Sequence, residues 1–296
     1  MKLYLACNSQ EGKRIMLFRC IVFFLTVFFV SNVFSDENSS LNRLLDSQDC
    51  SDCQFSKVHL REFVLSHRDM KKIKFSDSNL SKTNLVNSNL TESTFDTVNL
   101  IAADFTSATI TKSNFLNSRL NSANFEGSNL RESTFSDVDM RGVSFRGADL
   151  TNINIKNSSM TKSSFVGADL RDSTLFEINL ELADFTGANL TNANLSGAIL
   201  KNTNFTGAKL TNANLTGADL YNAEFIKSDL SNANLTRANL DQAKFEDIFV
   251  CGKLIKGTFR FGSLFDSISE LLDETLGDAN PEESKKEKSI LELLSC

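Results

Sequence analysis

Tryptophan is absent from the 296 residues, proline occurs once, at Pro281, and histidine twice, at His59 and His67. Each scarcity excludes something. Proline removes a donor from any strand ladder it enters, so its near absence leaves a long uninterrupted ladder open. Two neighbouring histidines supply neither a nucleophile–base pair nor a metal-ligand set. No glycine-rich loop of the phosphate-cradling kind precedes a helix. No cofactor motif and no catalytic constellation emerge, so an enzyme is not expected.

What the chain does have is a register. Every fifth residue from Phe55 to Val250 is apolar, forty positions in succession without insertion or deletion. A period of five suits neither common template. On an α-helix each apolar residue lands about 140° round from the last and the stripe smears over the cylinder. On a flat strand an odd period sends successive residues to opposite faces. The chain keeps all forty inside only by turning a corner between pentads, which makes a solenoid. The other positions agree. Two residues before the centre the side chain is usually small, as at Ala103, Ala123, Ala183 and Ser113. One before, Asn and Asp recur and favour turns by bonding nearby backbone. Two after, Gly recurs (Gly127, Gly147, Gly187), where positive φ costs least.

The number of sides follows from phenylalanine. Phe105 to Phe245 run unbroken at spacing twenty, and Phe55 to Phe135 form a second such series. Spacing twenty means four pentads per coil and ten coils. At the inter-strand distance the rod is about 48 Å long. Stretches such as Ala188-Asn189-Leu190-Thr191-Asn192 and Ala193-Asn194-Leu195-Ser196-Gly197 resemble the A-(D/N)-L-x-x motif of pentapeptide-repeat proteins. The resemblance implies that family's all-β solenoid, a right-handed quadrilateral β-helix.

Before the repeats, residues 1–35 read as a signal peptide or membrane anchor. Lys13, Arg14 and Arg19 precede the apolar run Ile21 to Val30, and Val33 and Ser35 suit a cleavage site. Met16 is an alternative start. The run is short for a span, so membrane contact is expected only through residues 15–35 if uncleaved. The product is expected to be exported: periplasmic, secreted or lumenal. Residues 36–49 read as an N-terminal capping helix, 50–250 as the repeats, and 251–296 as a C-terminal helical cap and tail. The helical spacing there runs from Leu264 to Leu276, and this helix is alternatively a homodimer contact. Past the signal four cysteines remain. Cys50 and Cys53 fall on register positions and are expected to fill the first coil. Cys251 and Cys296 are the pair open to a disulfide. Arg68 and Phe63 occupy small-residue positions, so regular packing is expected only above about residue 70, with Arg68 either distorting the coil or reaching out past its end.

For function, faces and ends are what a rod offers. Residues 50–250 carry twenty Lys/Arg and twenty-three Asp/Glu, with both signs on every side. No acidic stripe and no basic nucleic-acid patch result. That weighs against the family's best-known activity, protection or inhibition of DNA gyrase by duplex mimicry, which stands as the alternative: a cytoplasmic topoisomerase-binding protein. A Thr column (Thr91, Thr111, Thr151, Thr191, Thr211) of the ice-binding kind is broken by Arg131 and Arg171. Outward apolar residues are more informative. Leu182, Ile199 and Tyr221 fall on one side in successive coils, with Phe176 at the adjoining corner. They form a candidate contact patch for an unidentified protein partner. The expectation is an exported, non-catalytic binding scaffold contacting a protein or the cell envelope.

Overall fold

The computed structural model describes residues 41–45 and 49–260, with side chains to residue 258. The expected signal segment, the helix from Leu264 and Cys296 lie outside the described residues.

Residues 49–250 coil as ten turns of a four-sided β-solenoid. Six short strands stack in parallel on one side: β1 (Gln54–Ser56), β2 (Lys74–Ser76), β3 (Thr94–Asp96), β4 (Asn114–Leu116), β5 (Thr134–Ser136) and β6 (Asn154–Lys156). Each pairs with the next at a spacing of twenty, Phe55 opposite Phe75 and Phe75 opposite Phe95. Single bridges at the same spacing continue the ladder on every side, as far as β7 (Glu224–Ile226) and β8 (Lys244–Val250). We number the faces by their central residues: face 1 runs from Phe55 to Leu235, face 2 from Leu60 to Leu240, face 3 from Leu65 to Phe245, face 4 from Cys50 to Val250.

The register exists because the chain can turn every five residues. In all forty pentads the residue two after the centre is left-handed, from Asp52 to Asp247. Only eight of these are Gly, so the frequency of Gly in the sequence understates the requirement. Most corners close with a bond such as Ala103 N–H to Leu100 O at 3.0 Å. The Asn or Asp before the centre then accepts the N–H two residues on, as Asp104 does from Thr106 at 3.0 Å.

The corner between faces 1 and 2 shows a variation in its first six coils. The small-residue position there alternates Val58, Ser78, Val98, Ser118, Val138, Ser158. Each Val N–H donates to the hydroxyl of the Ser in the next coil, at 3.1, 2.9 and 3.1 Å. Each of those hydroxyls donates in turn to a carbonyl in its own coil, at 2.6 to 2.7 Å. A side chain thus satisfies a buried donor that would otherwise be orphaned.

Inside, two phenylalanine columns face each other. Face 3 stacks from Phe105 to Phe245 with centroids 4.5 to 5.3 Å apart. Face 1 stacks from Phe55 to Phe135. Where both are present the rings meet edge-on across the lumen at 6.3 to 6.4 Å, a favoured quadrupole geometry. Flanking residues there are small (Ala103, Ser113, Ala123, Ser133). Where Ile155 replaces the Phe of face 1, buried Val143 and Ile153 make up volume.

The regular register reaches Asp49, lower than the sequence suggested: Asp49 bridges Asp69 and Phe55 is buried. Arg68 is responsible for the apparent defect. It does not enter the lumen; its Nη2 donates to Leu45 O at 3.1 Å, at the end of α1 (41–45), whose Leu44 is fully buried. Arg68 therefore ties the cap to the second coil and satisfies a helix-end carbonyl. Cys50 and Cys53 fill the first coil as expected, and they are also joined to each other by a disulfide. Cys251 is disulfide-bonded as well.

At the other end the expected C-terminal cap begins differently, while the helix expected from Leu264 lies outside the described residues. Residues 253–260 are not helix: β9 (Lys253–Arg260) folds back antiparallel on β8. Cys251 and Gly252, both at positive φ, make the two-residue turn, as primed hairpin turns require. Asp247 bulges from β8, and its carboxylate accepts Gly257 N–H at 3.0 Å. A strand running the other way cannot template another parallel coil, so the hairpin closes the ladder.

Candidate protein-contact face

Face 2 carries outward side chains in three columns. One precedes the centres (His59 to Asn239), one follows them (Arg61 to Asp241), and one lies at the left-handed corner (Glu62 to Gln242). The solenoid places Leu182, Ile199 and Tyr221 here within three coils, about 10 Å along the axis. Phe176 stands on the corner leading into the same coil as Leu182. Their exposures are 46% for Leu182, 38% for Ile199, 43% for Tyr221 and 48% for Phe176. Among the described residues they are four of seven large exposed hydrophobics; the others are Val64, Phe249 and Leu254.

Two of the four sit against local preference. The position of Ile199 normally holds Asn or Asp as a turn acceptor. Asn179 and Asp219, directly below and above it in the ladder, accept from Glu181 N–H at 3.1 Å and Tyr221 N–H at 3.3 Å. Ile199 has no such acceptor to offer. Leu182 is left-handed, with φ 61°, and is the single large apolar residue among the forty such positions. That conformation is unfavourable for a side chain of its kind. Local rules broken on an exposed face are expected at functional or strained positions.

The face is also charged. Arg61 and Lys82 hold Glu62 at 3.3 and 3.4 Å, Arg141 holds Asp139 at 2.6 Å, and Lys201 holds Asp219 at 3.0 Å. These pairs are solvent-exposed and add little stability. A shallow depression of about 450 Å³ opens where Gly142 leaves a gap in the corner column. Asn121, Ser122, Arg141, Thr161 and Lys162 line it. Elsewhere outward carboxylates serve the corners: Asp104, Asp149 and Asp184 each accept a turn N–H. Among the described residues no cluster of His, Cys, Asp and Glu could hold a metal, and no helix is long and apolar enough to cross a membrane.

Family models decide what the chain is. One for pentapeptide repeats, in eight copies, matches residues 178–217 and 213–248, and one for a pentapeptide repeat region matches 48–125 and 108–185. The chain belongs to the pentapeptide-repeat family. One solved structure agrees in fold, and a second is similar in sequence. A trypsin-treated variant of QnrB1, a plasmid-mediated fluoroquinolone resistance protein, is 18% identical with a TM-score of 0.50, over 64% of this chain and 91% of its own. HetL, involved in heterocyst differentiation regulation in the cyanobacterium Nostoc sp. strain PCC 7120, is 24% identical with a TM-score of 0.27, over 76% of this chain and all of its own. No curated protein matches this pentapeptide-repeat chain in sequence.

The exposed apolar grouping on this pentapeptide-repeat rod was legible in the sequence. What the sequence reading missed was the Gly142 depression and the strain at Leu182. The first needed the corner column at spacing twenty; the second needed the finding that every corner is left-handed.

Proposed function

We propose that this pentapeptide-repeat protein is an exported, non-catalytic scaffold that binds a protein partner through face 2. The observation that carries the reading is the placement of Leu182 and Ile199. Both are exposed, both are apolar, and both occupy positions where the fold favours something else. A binding surface accounts for that, since exposed apolar clusters with aromatic members are the usual anchors of interfaces. Non-catalytic character is supported by outward carboxylates such as Asp104, Asp149, Asp139 and Asp219, which are engaged in corners or in ion pairs. Export is supported by the basic and apolar N-terminal pattern. It is also supported by disulfide bonding at Cys50, Cys53 and Cys251, a state that persists in oxidising compartments.

Affinity capture with the mature protein, repeated with Leu182→Asp/Ile199→Asp, tests the face. The double variant is expected to lose the partner; an unchanged set of partners removes the patch. Cell fractionation tests export, and mature protein confined to the cytoplasm overturns it. The competing reading, a gyrase-binding duplex mimic, has the acidity of face 3 in its favour, where six acidic residues face three basic ones. Inhibition or protection in a gyrase supercoiling assay at micromolar protein would favour it over the exported scaffold.

A further inference from the structure

Face 2 is electrically bipolar. From the Leu60 coil to the Met160 coil it carries Arg61, Lys82, Arg119, Arg141 and Lys162 against Glu62 and Asp139, a net of +3. From the Leu180 coil to the Leu240 coil it carries Lys201 against Glu181, Asp219 and Asp241, a net of −2. Once the ion pairs within the face are set aside, four charges remain without an ion-pair partner among the described residues. Arg119 and Lys162 lie on the basic half, Glu181 and Asp241 on the acidic half. A surface with this division complements itself when inverted.

We infer that face 2 pairs with the same face of a second copy, the two rods antiparallel, about a two-fold axis lying across the rods between the Met140 and Met160 coils. Such an axis makes the contact isologous, the same surface on both sides. It sets each column against itself with the coil order reversed. The Leu120 coil then meets the Leu180 coil, and Arg119 reaches Glu181 of the second copy on the diagonal between neighbouring columns. The Leu100 coil meets the Leu200 coil, which brings Ile101 and Ile199 together on a matching diagonal. Asp241 comes over Arg61 within the column that follows the centres. At the axis the corner columns put Lys162 of one copy opposite Gly142 of the other, where the depression lies. Charge, apolar contact and shape thus select the same register.

The area agrees. Ten coils give about 48 Å, and a five-residue side is about 16 Å wide at most, so each copy contributes roughly 750 Å². A stable interface of standard size takes about 800 Å² per partner. An axis through Ile199 would stack the apolar patch on itself but would engage only half of that area.

The inference rests on reading face 2 as the contact face, and it names the occupant. Equilibrium sedimentation of the purified full-length protein from about 1 to 200 µM tests it, with Arg119→Glu, Glu181→Arg and the two combined. Wild type is expected to dimerise. Each single reversal is expected to raise the dissociation constant about ten-fold or more, since it acts twice in a symmetric contact; the combination is expected to restore it within about three-fold. Both side chains point outward, so an unchanged circular dichroism spectrum certifies the fold of each variant. A protein monomeric throughout the range overturns the pairing, as does a dimer that neither reversal weakens. Neither result touches the broader reading of face 2, which stands or falls on the Leu182/Ile199 capture experiment.

Discussion

Ser118 and Ser173 are both buried at small-residue positions, yet they do different things. Ser118 accepts from Val98 N–H at 2.9 Å and donates to Leu116 O at 2.7 Å, whereas the Ser173 hydroxyl has no partner. Ser118→Ala should therefore cost about 1–2 kcal/mol, because it orphans a buried backbone N–H. Ser173→Ala should be neutral or slightly stabilising. Urea titrations of the two variants make the comparison. Thr97 is β-branched and left-handed at φ 57°. Thr97→Asn should stabilise by up to about 1 kcal/mol, since Asn tolerates that region far better. A third residue reports on pH. Hydrogen bonds from Arg171, at 2.7 to 3.0 Å, hold the Asp169 carboxyl below its ordinary value. A depressed folded value adds stability above the unfolded pKa, about 3.9, and loses it as pH falls further, through the folded value. Asp169→Asn should remove that part of the acid loss below about pH 4. The effect should be a few tenths of a kcal/mol, because the pair is partly exposed. Denaturation midpoints between pH 3 and 5 measure it. The sequence made the small-residue preference plain at these sites. It hid the Val–Ser alternation, because that pattern has meaning only once residues twenty apart are stacked and one corner is seen to lack its own turn bond.

At the scale of elements, the coils and the helix before them were readable and the hairpin after them was not. Forty apolar positions can be buried in one way, so Phe spacing was enough to set four sides and ten coils. The hairpin was missed although its signs are present: Gly252 between two apolar segments, with Cys251 before it. A stronger helical periodicity beyond Leu264 drew the reading away from ten residues that alternate too briefly to register. At the N-terminal end Arg68 takes the second of the two courses its inward register position left open: it reaches out past the coil, and what no sequence rule shows is the helix-end carbonyl of Leu45 that it meets. Within the coils, Phe125 stacks on Phe105 and Phe145 and meets Phe115 and Phe135 edge-on. Phe125→Ala should cost about 3–5 kcal/mol. The loss should be local, since each coil touches only its neighbours. Hydrogen exchange should speed up in the coils of Phe105 to Phe145 and stay near wild type around Leu210.

For the whole molecule the period itself can be tested. Deleting residues 121–140 removes one coil and leaves every column in phase. Deleting 121–125 removes one side, keeps the inward pattern and turns all later faces by a quarter. Deleting Asn121 alone sends each later centre out of the lumen. The first two variants should melt cooperatively with a β-type spectrum, and the third should not. Only the first should keep a continuous face 2, and with it any binding. Function was less legible than fold because the same regularity that reveals the coils makes the faces look alike. The proposed contact residues, Leu182 and Ile199, stand out only against what the corners demand. The hydrogen bonds also have a mechanical consequence. They run along the axis, from Leu60 N–H to Asn79 O and Asn79 N–H to Val58 O, and so on from coil to coil. A pull on the two ends loads them one coil at a time, as in unwinding a spring. Under force the rod should yield in steps of twenty residues, each releasing about 65–70 Å of contour, and a single-molecule trace would count the coils one by one.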